Sequence, residues 1–151
     1  MNDTRQIASD IVHKFSVHDT LIHELTHYFD SKRNKTMLTK NNAPSNDEEL
    51  SSYFNSAVEY NAWFTVFAQP LLRLLTDVKD AENKQDALEI ASWSGITDNF
   101  QDTLRTLQNR SKISNMNVFL KNLNERNRKA LIKRLYALWK KCIDTINSIK
   151  E

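Results

Sequence analysis

A His-Glu-x-x-His pattern lies in the stretch Leu21-Ile22-His23-Glu24-Leu25-Thr26-His27-Tyr28-Phe29-Asp30. If this stretch is helical, its two histidines lie one turn apart on the same face and can reach one metal ion. Glu24 then projects toward the same side, where it can take the proton of an attacking water. This combination is typical of zinc hydrolases, so the helical structure of the stretch is the first question.

The neighbouring residues predict that the stretch is a helix. Ser16 and Asp19 have the spacing of an N-terminal capping pair, so we expect the helix to begin at Ser16. Residues 3–15 are predicted to form a separate short amphipathic helix, with a turn between the two. Four apolar residues should form a buried stripe opposite the histidines. They are Leu21, Ile22, Leu25 and Phe29. The alternative is an amphipathic helix with two incidental histidines, since so short a pattern also arises by chance.

A hydrolytic zinc site needs a third protein ligand beside two histidines, and it keeps one position open for water. Glu59 is the best candidate for this ligand. Ser56 has capping-box spacing to Glu59, which predicts a second helix with Ala57 and Glu59 in its opening turn. The predicted metal ligands are therefore His23, His27 and Glu59.

Three further residues are candidates for supporting roles around this site. Asp30 follows His27 by three residues and can orient a histidine by accepting a hydrogen bond; an exposed position at the helix end is the alternative. Tyr53 and Tyr60 lie close to Glu59 in the sequence and can donate a hydrogen bond to the oxyanion that forms during peptide hydrolysis. Packing in the core is the alternative for both phenols.

Two segments of the chain, LIHELTHYFD (21–30) and SYFNSAVEYNAWF (52–64), resemble the gluzincin type of metallopeptidase, in which a glutamate on a later helix is the third zinc ligand. They are similar in particular to small zinc peptidase-like proteins of phages and large viruses. The resemblance covers about residues 16–68 and implies Zn²⁺ as the cofactor, Glu24 as the general base and a protein or peptide as the substrate. The chain departs from this family because its first fifteen residues predict a helix where the family has a small β-sheet, and because Ala57 stands at an expected proline.

The composition predicts an all-α fold. With 151 residues, of which 40% are hydrophobic and 26% charged, the chain suits a single helical domain over residues 1–151. One glycine and two prolines leave few sharp turns, so we expect a compact multi-helix domain with little or no β-sheet. In it, the His-Glu-x-x-His helix packs against the Glu59 helix. The predicted division is a metal-binding half, 1–78, and a helical, basic half, 79–151.

The sequence contains neither an apolar run long enough to span a membrane nor the pattern of an N-terminal signal peptide. We therefore expect a cytoplasmic protein, located in the host cytoplasm if its source is a phage or a virus. Cys142 is the single cysteine, so no internal disulfide is expected, and helix packing is its predicted role.

Turn-forming and helix-breaking residues predict three further features. The polar segment Ser31–Asn46 is expected to be a loop at the mouth of the cleft between the two metal-binding helices. Pro70 should kink the second of these helices, and Ser94-Gly95 should end a later one. A last helix is predicted to run from about residue 117 or 124 to 149.

Charge is unevenly distributed along the chain. Residues 101–151 carry twelve Lys or Arg and four Asp or Glu, a net charge of +8, whereas residues 1–100 carry nine and fifteen, a net charge of −6. The last predicted helix has a basic face that can contact an anionic partner, nucleic acid or the acidic part of the chain itself. That face comprises Arg126, Arg128, Lys129, Lys133, Arg134, Lys140 and Lys141. A solvated surface is the alternative, since Lys and Arg are common on exposed helices.

The sequence supports two main functional hypotheses. The first is a zinc-dependent metallopeptidase in which Glu24 is the base. The second is a metallopeptidase-like helical interaction module without proteolytic activity of its own, which contacts an acidic partner or nucleic acid through the basic C-terminal helix. A helical binding protein that holds no metal is a third hypothesis.

Overall fold

The computed structural model describes the backbone of residues 2–33, 47–111 and 116–151, and within these ranges the side chains of 17–32 and from 50 onward. The described residues form helices and contain no strand, which confirms the predicted all-α class. The α-helices are α1 (Asn2–Arg33), α2 (Asp47–Asn55), α3 (Ala57–Phe67), α4 (Gln69–Asp77), α5 (Lys84–Trp93), α6 (Phe100–Ser111), α7 (Met116–Asn122) and α8 (Glu125–Ser148), with a 3₁₀ turn at Val78–Asp80. None of the described helices combines the length and the apolar composition that crossing a membrane requires.

The first helix, α1, is a single helix of 32 residues. The predicted helix start at Ser16 is therefore wrong, because the backbone is helical on both sides of this residue. The sequence of α1 contains no glycine or proline, and a serine inside a helix costs only a few tenths of a kcal/mol relative to alanine. Asp19 is consequently not a capping partner but an interior residue of α1, and it is buried.

The apolar stripe of α1 faces outward. Leu21, Leu25 and Phe29 are 55%, 40% and 57% exposed, so their predicted burial is wrong, and Ile22 is half-buried. The periodicity of α1 distinguishes two faces but does not determine which of them meets the rest of the protein. Here the polar face with the histidines is the buried one.

The segment between α2 and α3 matches the predicted cap. The Glu59 backbone N–H donates to Ser56 Oγ at 3.4 Å, and α3 begins at Ala57. Pro70 does not kink α3 as expected. It lies in the first turn of α4. Backbone N–H groups in this turn have no acceptor within the helix, so a proline, which lacks the N–H, is tolerated there.

The first residues of the predicted loop over 31–46 are helical. Ser31 belongs to α1, and its hydroxyl donates to the Tyr28 carbonyl at 2.7 Å. Residues 34–46, which carry most of this loop prediction, lie outside the described residues.

One compact unit consists of Met1–Val66 and Ser111–Arg128. Its core is aromatic. The rings of Trp63 and Phe119 are stacked with centroids 6.2 Å apart, and Phe54 lies 6.0 and 5.9 Å from them. Phe119 is fully buried. This core supports the first turns of α3, where the candidate third ligand lies.

Asn55 connects the end of α2 to the junction between α7 and α8. Its Nδ2 donates to the Asn122 carbonyl at 2.8 Å, and its Oδ1 accepts from the Asn124 backbone N–H and from Asn127 Nδ2, both at 2.9 Å. Asn124 Oδ1 in turn accepts from the Asn127 N–H at 2.8 Å and caps α8. A single helix beginning near residue 117 is therefore wrong, whereas the alternative start near residue 124 agrees with α8.

The other compact unit consists of Phe67–Arg110 and Lys129–Glu151. Cys142 is buried there, and its Sγ lies 3.3 Å from the Leu71 carbonyl oxygen, consistent with the predicted packing role. Gly95 has φ +70° and follows α5, as its position in the sequence predicts. The fully buried side chains of this unit include Leu71, Leu74, Val78, Leu135, Cys142 and Ile146. Each of the two units contains two separate stretches of chain, and the predicted division into 1–78 and 79–151 stays a prediction.

We expect Asn55→Ala to lower the free energy of unfolding by about 1–3 kcal/mol, because it leaves two backbone groups and the Asn127 amide without their partner. Urea denaturation followed by circular dichroism measures this change. The matched control is Asn109→Ala on the exposed side of α6, which should change the stability by less than about 0.5 kcal/mol. Equal stability of the two variants would contradict the prediction.

Candidate metal centre

Two helices bring the three predicted ligands together. His23 and His27 lie on α1, and Glu59 lies in the first turn of α3. The two Nε2 atoms are 3.0 Å apart. Glu59 Oε2 lies 3.2 Å from His23 Nε2, and Oε1 lies 3.1 Å from His27 Nε2. The three residues thus form a cluster that can hold one metal ion, as the sequence predicts.

The potential ligand atoms lie close enough together to hold one metal ion, because one atom from each of the three residues is within 4.8 Å of the others. The carboxylate meets the two imidazoles through different oxygens, Oε2 beside His23 and Oε1 beside His27. Two imidazoles and one carboxylate are also a ligand set found in zinc hydrolases.

Burial differs across the cluster. His23 and Glu59 are 6% and 5% exposed, whereas the His27 side chain is 23% exposed. The ring of Trp63 lies 4.5 Å from the ring of His23 at an angle of 48°, so it covers and orients this imidazole. The cluster is therefore enclosed at His23 and Glu59 and reached by solvent at His27.

The Glu59 carboxylate is stabilised in its charged form. Burial raises the pKa of this carboxylate. Hydrogen bonds from His23 and Tyr53 and the proximity of His27 together have a larger, opposite effect, so the pKa lies below its ordinary value. An ionised carboxylate is the form that binds a metal ion. The electrostatics around Glu59 therefore match its predicted role as a ligand.

Tyr53 interacts with the carboxylate of Glu59. Burial, the hydrogen bond to Glu59 and the negative charges of Glu59 and Glu24 raise the pKa of the Tyr53 phenol above its usual value, so the phenol stays protonated and donates. This contact gives Tyr53 the role of orienting a ligand. Donation to an oxyanion, the role expected from the sequence, stays a prediction.

Glu24, the predicted general base, is exposed on α1 beside His23. Its charge contributes to the raised pKa of Tyr53, so it lies on the same side of the cluster as that phenol. Exposure is compatible with the predicted task, because a base must reach both water and substrate.

Tyr60 and Asp30 have contacts other than those predicted for them. The Tyr60 ring lies 6.4 Å from Phe64 and 6.2 Å from Phe119, in the aromatic core. Asp30 Oδ2 accepts a hydrogen bond from Asn61 Nδ2 at 2.7 Å, which joins α1 to α3 two residues beyond Glu59. The oxyanion role of Tyr60 and the orientation of a histidine by Asp30 stay predictions.

The sequence prediction missed two residues that support the cluster, Trp63 and Asn61. Trp63 covers His23, and Asn61 holds α3 against α1 through Asp30. The spacing of Trp63, four residues after Glu59, was a usable signal because residues four apart share a helix face. No local pattern distinguishes Asn61.

Comparison with known proteins gives no relative from which to assign this site. No protein-family model matches the sequence, and neither the curated proteins nor the solved structures contain a significant match.

We expect the purified chain to bind about one zinc ion, and His23→Ala to abolish this binding because it removes one of three ligands. Elemental analysis after dialysis measures the bound zinc. His18→Ala is the matched control, since His18 lies on the same helix with its side chain 50% exposed. Zinc retained in full by His23→Ala would contradict the assignment of the ligands.

We expect Tyr53→Phe to weaken zinc binding about 10–100-fold, because the variant loses the hydrogen bond that orients the Glu59 carboxylate. Competition with a chromophoric chelator measures the affinity. Tyr136→Phe removes the hydroxyl of an exposed tyrosine and should leave the affinity unchanged. If Tyr53→Phe binds zinc as tightly as the wild type, the phenol does not support the ligand.

Proposed function

We propose that this protein is a zinc-dependent metallopeptidase. The observation that supports the proposal best is the convergence of His23, His27 and Glu59 beside Glu24, with donor atoms 3.0–3.2 Å apart. Peptides are proposed as the substrate class because the segments 21–30 and 52–64 resemble those of gluzincin metallopeptidases.

The three ligands have a common task in this proposal. His23, His27 and Glu59 would hold a zinc ion as three protein ligands, which is the number that a hydrolytic zinc site requires. When bound, zinc polarises the scissile carbonyl and lowers the pKa of water toward neutrality. Tyr53 keeps the Glu59 carboxylate oriented through its hydrogen bond, and Trp63 keeps the His23 ring in place.

Glu24 performs the proton transfer. Its carboxylate accepts the proton of the attacking water and passes it to the nitrogen of the leaving amine. It is suited to this task because it follows His23 directly in α1 and is exposed.

The second proposed function is a helical interaction module that contacts an acidic partner or nucleic acid through α8. The observation in its favour is that the seven predicted basic residues of α8 are all exposed. Arg128 also donates to the Leu123 carbonyl at 3.3 Å, which holds part of this face in place. Such a surface attracts polyanions whether or not the metal centre is catalytic.

Glu24→Gln separates the two functions. We expect this substitution to lower the rate of hydrolysis of a dye-quenched unfolded protein by at least about 100-fold, because the variant keeps the shape of the side chain but lacks the base. Bound zinc should be unchanged. Glu89→Gln, an exposed glutamate on α5, should keep the wild-type rate.

Two outcomes of this experiment would contradict the peptidase. One is a zinc-loaded wild type that is as inert as Glu24→Gln on diverse unfolded substrates. The other is activity in Glu24→Gln equal to that of the wild type. The first outcome favours the interaction module, whose test is the binding of an oligonucleotide that weakens as the salt concentration rises.

A further inference from the structure

The Nδ1 atom of His23 is buried and makes no hydrogen bond within the described part of the chain, whereas Nε2 of the same ring faces His27 and Glu59. A neutral imidazole that binds a metal ion through Nε2 carries its proton on Nδ1. That N–H group then needs an acceptor, because buried donors are rarely left without one.

A carboxylate lies one helical turn before His23. Asp19 is 6% exposed, as His23 is, so both belong to the buried face of α1, while Thr20 and Leu21 between them are exposed. Side chains in a helix lean toward its N-terminus, so the side chain of His23 leans toward the turn that contains Asp19. The position of Asp19 is therefore suited to an acceptor for Nδ1.

The burial of Asp19 has no explanation in the helix itself. Asp19 lies inside α1 and not at its start, so it does not cap the helix, and aspartate is a poor helix former at interior positions. Buried carboxylates are rare in proteins unless they are paired or bind a metal ion.

The other contacts of Asp19 are compatible with a role as the acceptor for Nδ1 of His23. Asp19 Oδ1 lies 3.8 Å from Nδ1 of His18, which is too long for a hydrogen bond, and Asp19 also takes part in further interactions. An ionised carboxylate has about four acceptor sites and can therefore accept from more than one donor.

We propose that Asp19 is a positioning residue of the metal centre, which accepts a hydrogen bond from Nδ1 of His23 when Nε2 binds the ion. This inference rests on the proposed zinc site. The hydrogen bond fixes the tautomer and the orientation of the imidazole and increases its basicity as a ligand. Asp30, the carboxylate that the sequence suggests for this task, is engaged with Asn61 instead.

The test compares Asp19→Asn with Asp30→Asn in the full-length chain. We expect Asp19→Asn to weaken zinc binding about 10–100-fold in chelator competition, because the charge that polarises the imidazole is lost. Asp30→Asn should keep the wild-type affinity within a factor of about three, since Asp30 bonds to an amide and not to a ligand.

The stability of the zinc-free proteins distinguishes positioning from a structural role. Asparagine keeps the shape of the side chain, so Asp19→Asn without zinc should melt close to the wild-type temperature if Asp19 acts through the metal centre. A lower melting temperature of the zinc-free variant combined with unchanged zinc affinity would overturn the proposal. If Asp19→Asn does not fold, the wild type still provides a test through NMR of ¹⁵N-labelled histidine.

In the zinc-loaded wild type, the His23 Nδ1 proton should exchange slowly with solvent, whereas exposed His18 serves as the rapidly exchanging reference. A His23 proton that exchanges as fast as that of His18 would overturn the role of Asp19.

The failure of the zinc site and the failure of the Asp19 proposal are distinguishable. A wild type that binds no zinc overturns the metal site and this inference with it, whereas equal affinity of Asp19→Asn and the wild type overturns the role of Asp19 alone.

Discussion

The structure of the first compact unit depends on one buried charge, the carboxylate of Glu59. Transferring an ionised carboxylate from water into a protein is unfavourable unless hydrogen bonds and opposite charge replace its hydration. Glu59 lies close to both imidazoles of α1, and these together with Tyr53 on α2 hold the pKa of its carboxylate below the ordinary value. Three helices are thereby held in one relative orientation around a single side chain.

This requirement determines which side of α1 is buried. His23 must lie within hydrogen-bonding distance of Glu59, so the face that carries His23 turns inward. Leu21, Leu25 and Phe29 lie on the opposite face and remain exposed, although hydrophobicity alone would bury them. The described part of α1 is therefore an amphipathic helix whose polar face is buried and whose apolar face is exposed. The physical reason is the contact of its histidines with Glu59.

The sequence was sufficient to predict the fold class and the clustering of His23, His27 and Glu59, because both depend on simple constraints. Scarce glycine and proline favour helices, and the spacing of His23 and His27 places both on one helix face. Glu59 could be identified from its cap at Ser56. The start of α1 could not be identified, since residues with the spacing of a capping pair also occur inside helices. The partner of Asp30 was equally inaccessible, because Asn61 approaches it only through the packing of α1 on α3.

The candidate metal centre is also the joint between α1 and α3. The contacts between α1 and α3 include those of His23 and His27 with Glu59, of His23 with Trp63, and of Asp30 with Asn61. Contacts of this kind need defined geometry, unlike apolar packing, which tolerates sliding. A metal ion bound by donors from both helices would add its binding free energy directly to this joint. The residues proposed as metal ligands thus also hold α1 against α3, and a substitution among them changes both properties together.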